Sequence, residues 1–230
     1  MAKGIASIRH SAAQTGSSMT THSPSADLAG MRQAMVDSQL KTVGVTDPAV
    51  LDAMGSIARE DFVDYPATAY ADAAQAVAPG RWLLEPMALA LLLANSEVEP
   101  GMAVLVVGSA TGYSAAVLAH MGARVTALES DAALAARAPV PTVVGPLTAG
   151  WPQAAPYDLI LFEGAIEQVP PALQAQLAPG GRIAAVIRSG GVGRAYTGPL
   201  LDDGRIAGLP FLEVAAAPLP GFAAPKAFAF

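Results

Sequence analysis

The sequence predicts an α/β domain, doubly wound around a mostly parallel sheet. Three observations carry this. Ala103–Val107 is an uninterrupted apolar run, the pattern of a strand buried on both faces. The strand-like runs after it alternate with segments of helical periodicity, the order that builds a parallel sheet. A glycine-bracketed turn, Gly108 to Gly112, joins the first run to its helix, and an acidic residue, Glu129, ends the next strand. In such sheets ligands bind beyond the carboxyl ends of the strands, so the turn and the acid are expected to line one crevice.

Each element can be justified in order. Residues 1–26 are rich in Ser, Thr and Ala without hydrophobic period and read as a disordered extension. Residues 27–230 read as a single domain, with a helical cap part over 27–95, a cofactor-binding core over 96–190 and C-terminal strands over 191–230. Leu28, Met31, Met35, Val36 and Leu40 recur at helical spacing. Thr46 or Asp47 can cap a second helix whose first turn holds Pro48. Residues 58–63 form a connector. Pro66, Pro79 and Gly80 suggest irregular structure over 66–82, and Pro86 opens a helix to Ala94. The sheet follows, with strands expected at 103–107, 124–128, 142–144, 157–162 and 182–187. Helices are expected at 113–121, 131–137 and 170–177, and hairpin-like strands at 194–201 and 205–214. For the stretch Pro218–Pro225, closure over a substrate and wrapping of the sheet are both compatible with the sequence.

Composition narrows the chemistry. The 230-residue chain holds no cysteine and only 3 histidines, which disfavours thiolate chemistry, disulfides and a histidine-rich metal site. The absence of cysteine fits a reducing, cytoplasmic compartment. A net charge of −6 is not the footprint of a nucleic-acid binder, nor of a protein held on anionic membranes. The longest apolar run, Met87–Ala94, is far shorter than the roughly 20 residues that span a bilayer.

The crevice itself is more specific. Glu129 follows Gly108 by about 20 residues, the separation at which an acid accepts from ribose hydroxyls in Rossmann-type sites. A carboxylate suits a ribose diol because it accepts twice and donates nothing. The loop reads Gly108-Ser109-Ala110-Thr111-Gly112-Tyr113. In the dinucleotide fingerprint G-x-G-x-x-G, Ala110 and Tyr113 would stand at the second and third glycines. A pyrophosphate would therefore meet a methyl group, which disfavours a nicotinamide oxidoreductase. An adenosyl ligand without pyrophosphate fits better. The plainer alternative is that the glycines only make the turn.

On these residues the chain resembles the protein-L-isoaspartate O-methyltransferases, from about Met31 to about Gly193. Arg59-Glu60-Asp61-Phe62-Val63 looks like the family's R-E-x-F-V signature. Val104-Leu105-Val106-Val107-Gly108-Ser109-Ala110-Thr111-Gly112-Tyr113 is similar to its cofactor loop. Tyr157-Asp158-Leu159-Ile160 and Leu177-Ala178-Pro179-Gly180-Gly181-Arg182 match two later stretches. The resemblance implies a Rossmann-like class I methyltransferase fold. The implied cofactor is S-adenosylmethionine (SAM), leaving S-adenosylhomocysteine as product, with no metal. The implied partner is a damaged protein or peptide carrying an isoaspartyl carboxylate. Residue by residue, it implies cofactor contacts at Gly108, Ser109, Ala110, Thr111, Gly112, Glu129, Ser130, Gly145, Pro146 and Glu163, and substrate contacts at Leu84, Glu85 and Pro86.

The departures are specific. Leu84 stands where the family has a serine facing the substrate carboxylate, so no catalytic side chain is assignable there. Val106 replaces a glutamate, Ala110 a glycine, and Pro146 the aspartate that holds the adenine amino group. Phe162-Glu163-Gly164 replaces a stretch of small residues, which leaves Glu163 either facing the crevice or exposed at a strand end. A relative that keeps the fold as a binding or interaction module is the competing reading.

Overall fold

The computed structural model describes residues 27–224. The expected N-terminal extension and the apolar end at 226–230 lie outside the described residues.

The cap comes first. α1 (Leu28–Met35) begins at Asp27, whose carboxylate accepts from the Gly30 amide, and continues as a wider turn over Val36–Leu40. α2 (Pro48–Ser56) is capped by Asp47, which accepts from the amides of Ala49 and Val50, with Pro48 in the first turn. A 3₁₀ turn at Arg59–Phe62 leads into the segment expected to be irregular. That segment instead contains an antiparallel ribbon, β1 (Gln75–Ala78) and β2 (Arg81–Leu83), turned at Gly80 with φ +70°. Pro79-Gly80, read as a breaker, is the hairpin turn. α3 (Pro86–Ala94) follows.

The core is β3 (Ala103–Val107), α4 (Tyr113–His120), β4 (Arg124–Glu129), α5 (Ala132–Arg137), β5 (Thr142–Val144), β6 (Tyr157–Ile166), α6 (Pro171–Gln174), β7 (Leu177–Ser189), β8 (Val192–Gly198) and β9 (Leu212–Glu213). Its seven-stranded sheet runs β5-β4-β3-β6-β7-β8-β9, parallel as far as β7 and antiparallel beyond it. Strand order reverses between β3 and β6, which puts the switch point above the carboxyl end of β3.

Several boundaries differ from expectation, β6 running four residues past 162 to Ile166 and β8 spanning Val192–Gly198. α6 ends at Gln174 rather than 177, because Leu177 already pairs with Tyr157. The Pro179-Gly180-Gly181 turn is therefore enclosed within β7. In 205–214 the expected hairpin forms in two short pieces: Ile206 bridges to Leu200 and Leu212–Glu213 pairs with β8, with Gly208 and Pro210 breaking the run between them. Both edges of the large sheet are thus strands of three residues or fewer.

Apolar clusters cover the two faces of the sheet. Val104, Val106, Leu159, Leu161 and Ala184 meet the cap, α3 and α4 on one face. Leu105, Val107, Ile160, Phe162 and Ile183 meet Leu173, Leu219 and Phe222 on the other. This alternation along β3 and β6 is the two-sided burial that their unbroken apolar runs predict.

Candidate active site

The loop after β3 is built by its own backbone. The amides of Gly108 and Ser109 both donate to the Leu128 carbonyl, at 2.8 and 2.9 Å, which ties the loop to the end of β4. Gly108 and Gly112 take φ of +73° and +91°, and Ala110 takes +52°. An alanine there carries a strain that glycine would avoid. The Thr111 hydroxyl turns away from the crevice and donates to the Phe62 carbonyl at 2.7 Å, pinning the cap to the loop. The Ser109 hydroxyl is buried without a partner among the described residues.

Glu129 lies where the sequence places it and is fully buried. Its Oε1 accepts from the Ser130 amide and hydroxyl and from the Asp131 amide. Its Oε2 accepts from the Ala110 amide at 2.8 Å and from Arg81 Nη2 at 2.5 Å. The Gly145 amide donates to the Glu129 carbonyl at 3.0 Å, and Gly145 backs onto Leu128 and Trp151. Gly108, Ala110, Glu129, Ser130 and Gly145 therefore form one assembly. Pro146 beside it is exposed and offers no acceptor in place of a carboxylate.

Arg81 was not singled out from the sequence. It projects from β2 as a buried side chain and makes an ion pair with Glu129 across 48 residues of chain. The available signal was one arginine in the alternating stretch Arg81-Trp82-Leu83, buried–exposed–buried in the fold.

Glu163 faces inward, not out to solvent. It is buried at the switch point, where Oε1 accepts from the Leu84 amide at 2.7 Å and Oε2 from the Ser114 hydroxyl. Burial pushes its carboxyl above the usual range, opposed by the Ser114 hydroxyl, the Leu84 amide and the charges of Arg59 and Arg81. Leu84 is buried and presents no donor from its side chain, and its amide is already used. Pro86 is buried in the first turn of α3. Glu85 is half-buried, and its carboxyl is raised by burial and by the neighbouring Asp72.

Arg59 explains the R-E-x-F-V signature physically. It is fully buried, donates to the carbonyls of Ala69 (2.9 Å) and Leu84 (2.7 Å), and stacks 4.7 Å from the ring centre of Tyr113. Phe62 meets the same ring edge-on at 5.4 Å. One arginine thus fixes the backbone at Ala69 and Leu84 to the first turn of α4.

The donors and acceptors here suit an adenosyl ribose in kind: an acidic residue at the end of β4 and a left-handed glycine turn after β3. The room is taken in this conformation. A Cβ built on Gly108 would lie 2.8 Å from Leu219 Cδ2 and 2.9 Å from Arg81 Nη2, so both side chains rest on the bare face of that glycine. Among the described residues, no group of three or more His, Asp and Glu side chains is placed to hold a metal ion. No described helix is long and apolar enough to cross a membrane.

Comparison with solved structures first defines the class. A protein-L-isoaspartate O-methyltransferase matches 84% of this chain and 66% of its own at a TM-score of 0.69 and 24% identity; this chain thus spans just under two thirds of that one. A Plasmodium falciparum chain, assigned as a protein-L-isoaspartate O-methyltransferase and solved with S-adenosyl-L-homocysteine, matches 72% of this chain and 88% of its own at a TM-score of 0.63 and 18% identity. The fold is the class I methyltransferase fold.

Sequence relatives are closer. The protein-L-isoaspartate(D-aspartate) O-methyltransferase (PCMT) family matches residues 31–196. The protein-L-isoaspartate O-methyltransferase of Methylorubrum populi is 46% identical over 163 residues, covering 66% of this chain and 77% of that one. The enzyme of the same name from Methylorubrum extorquens is 42% identical over 175 residues, covering 71% and 77%. The chain belongs to the protein-L-isoaspartate O-methyltransferase family.

Proposed function

We propose that this chain is a SAM-dependent methyltransferase that esterifies the α-carboxylate of isoaspartyl residues in proteins or peptides. The observation that carries the reading is the buried Glu129 at the end of β4, bonded to the Ala110 amide of the glycine turn. It stands in a fold and family whose cap signature, Arg59 to Val63, is built into the same site.

The chemistry asks little of the side chains. A carboxylate with a pKa near 4 is ionised at about pH 7 and is itself the nucleophile, so no general base is needed. When bound, SAM supplies an electrophilic methyl group on a sulfonium. The protein has to align carboxylate oxygen, methyl carbon and sulfur and to exclude water. Glu129 would accept from the ribose hydroxyls, with Ser130 and Gly145 holding it in place. Arg59 and Glu163 fix the backbone of Leu84 from its two sides, carbonyl and amide, so the acceptor-facing segment is rigid. Leu84 supplies an apolar wall where the family serine would donate.

A second reading has its own support. The Arg81–Glu129 pair and the substitutions at Leu84, Val106 and Pro146 suit a relative retained as a binding or interaction module. Transfer of labelled methyl from SAM to an isoaspartyl peptide, against its aspartyl twin, separates the two. Selective labelling of the isoaspartyl peptide supports the enzyme; equal, background labelling of both overturns it.

A further inference from the structure

The geometry points to an internal latch on the nucleoside crevice: Arg81 and Leu219 hold it shut, and SAM enters only when the guanidinium leaves Glu129. This rests on the methyltransferase reading and adds to it a control on the same site.

Glu129 is the first ground. Both of its oxygens are engaged, and the strongest contact that a ligand could replace without dismantling the loop is the one given to Arg81, the Ser130 hydroxyl at 3.2 Å being the weaker side-chain donor. The remaining donors are the Ser130 hydroxyl and backbone amides that shape the turn. Ribose hydroxyls and the guanidinium thus compete for the same lone pairs.

The second ground is the state of Arg81. Among the described residues its Nε and Nη1 are buried without partners, while Nη2 reaches Glu129. Buried donors are nearly always paired when a side chain serves only the fold. An arginine with most of its donors idle is held by charge and by enclosure, and it gains hydrogen bonds when it moves to water. The flexible arginine stem can swing while the backbone after β2 stays anchored at Leu84. β2 belongs to a two-stranded ribbon that is separate from the main sheet and turns on Gly80.

Leu219 is the other half. It reaches Gly108 from a segment joined to the sheet through Ala165, whose amide donates to the Ala217 carbonyl and whose carbonyl accepts from the Leu219 amide, both at 2.8 Å. The contact falls where the β6–β7 register breaks between Leu161 and Ala165. At Gly164, φ +144°, a Cβ would lie 2.8 Å from Leu219 Cγ and 3.0 Å from the Ala217 carbonyl, so the segment seats against bare backbone. Of the C-terminal stretch that the sequence left undecided, Leu219 reaches the crevice while Phe222 packs on Phe162 of the sheet.

A latch lowers apparent affinity by the fraction of molecules that are open. The test is isothermal titration of the full chain and its Arg81→Gln and Leu219→Ala variants with S-adenosylhomocysteine, with thermal melts to establish folding. The expected result is binding to Arg81→Gln that is about tenfold tighter or more than to the unmodified chain. Leu219→Ala should shift the same way by less, and it tests the latch with the ion pair intact should Arg81→Gln fail to fold. Equal affinities for all three overturn the latch and leave the methyltransferase reading standing. Absence of binding to all three, each folded, overturns both.

Discussion

Replacing Arg59 with methionine should cost the fold about 3–4 kcal/mol, since hydrogen bonds to a charged group contribute about 1.5–3 kcal/mol each. The guanidinium is fully buried, bonds two carbonyls at 2.9 and 2.7 Å, and lies 4.7 Å over Tyr113. Methionine fills much of the stem's volume but offers no donor, so the carbonyls of Ala69 and Leu84 lose a partner inside the protein. Relief of the buried charge returns part of the loss, which is why the expected cost is below the full value of two bonds and a cation–π contact. Against a typical stability of about 5–15 kcal/mol this is a large fraction. It corresponds to a fall in Tm of about 10 °C for a chain of this size. Urea unfolding followed by tryptophan fluorescence reads it directly, with the midpoint falling and the slope unchanged. A loss below about 1 kcal/mol at unchanged slope would refute the reasoning, because it would mean that desolvating the guanidinium cancels its bonds.

Other outcomes follow from the same site. Glu163 holds its proton to higher pH in the folded chain than the ordinary carboxyl at 4.5, so the stability it contributes in its protonated form is lost as pH rises through the folded pKa. Melting curves across pH should show the unmodified chain falling progressively behind Glu163→Gln above about pH 4.5; a constant difference would refute this. Leu84→Ser restores a hydroxyl at the substrate position, so methyl transfer to an isoaspartyl peptide should rise while stability falls by about 2–5 kcal/mol, as for other large-to-small core changes. An unchanged rate would remove Leu84 from that position. Glu129→Ala leaves the Ala110, Ser130 and Asp131 amides without their acceptor and should cost at least about 1–3 kcal/mol in urea unfolding; undiminished stability would show that these amides do not depend on Glu129.

The sheet was legible because two-sided burial writes unbroken apolar runs. Ala103–Val107 and Tyr157–Phe162 sit in the centre of the sheet as β3 and the start of β6. Asp47-Pro48 was legible because capping is local chemistry. The β1–β2 ribbon was not, since three- and four-residue strands have too little periodicity to stand out between Pro66 and Pro86. The start of β7 was hidden because Leu177 pairs across the sheet before the glycine turn that seemed to precede the strand. At the site, the sequence located Glu129 by its spacing from Gly108. What it could not convey is the partner of Glu129. Arg81 meets it through the packing of a ribbon on a loop, and Leu219 arrives from the far end of the chain. Neither contact has a period or a fixed spacing to betray it.

The short strands at the two margins of the large sheet have a consequence for handling damaged proteins. β5 offers three residues and β9 two, the latter with Arg194 and Glu213 paired across it. A long bare margin invites any extended chain to dock by backbone pairing. The proposed substrates are polypeptides, and any extended one among them could do so. With its margins cut short, the protein can meet such chains at the crevice without becoming a nucleus for their aggregation.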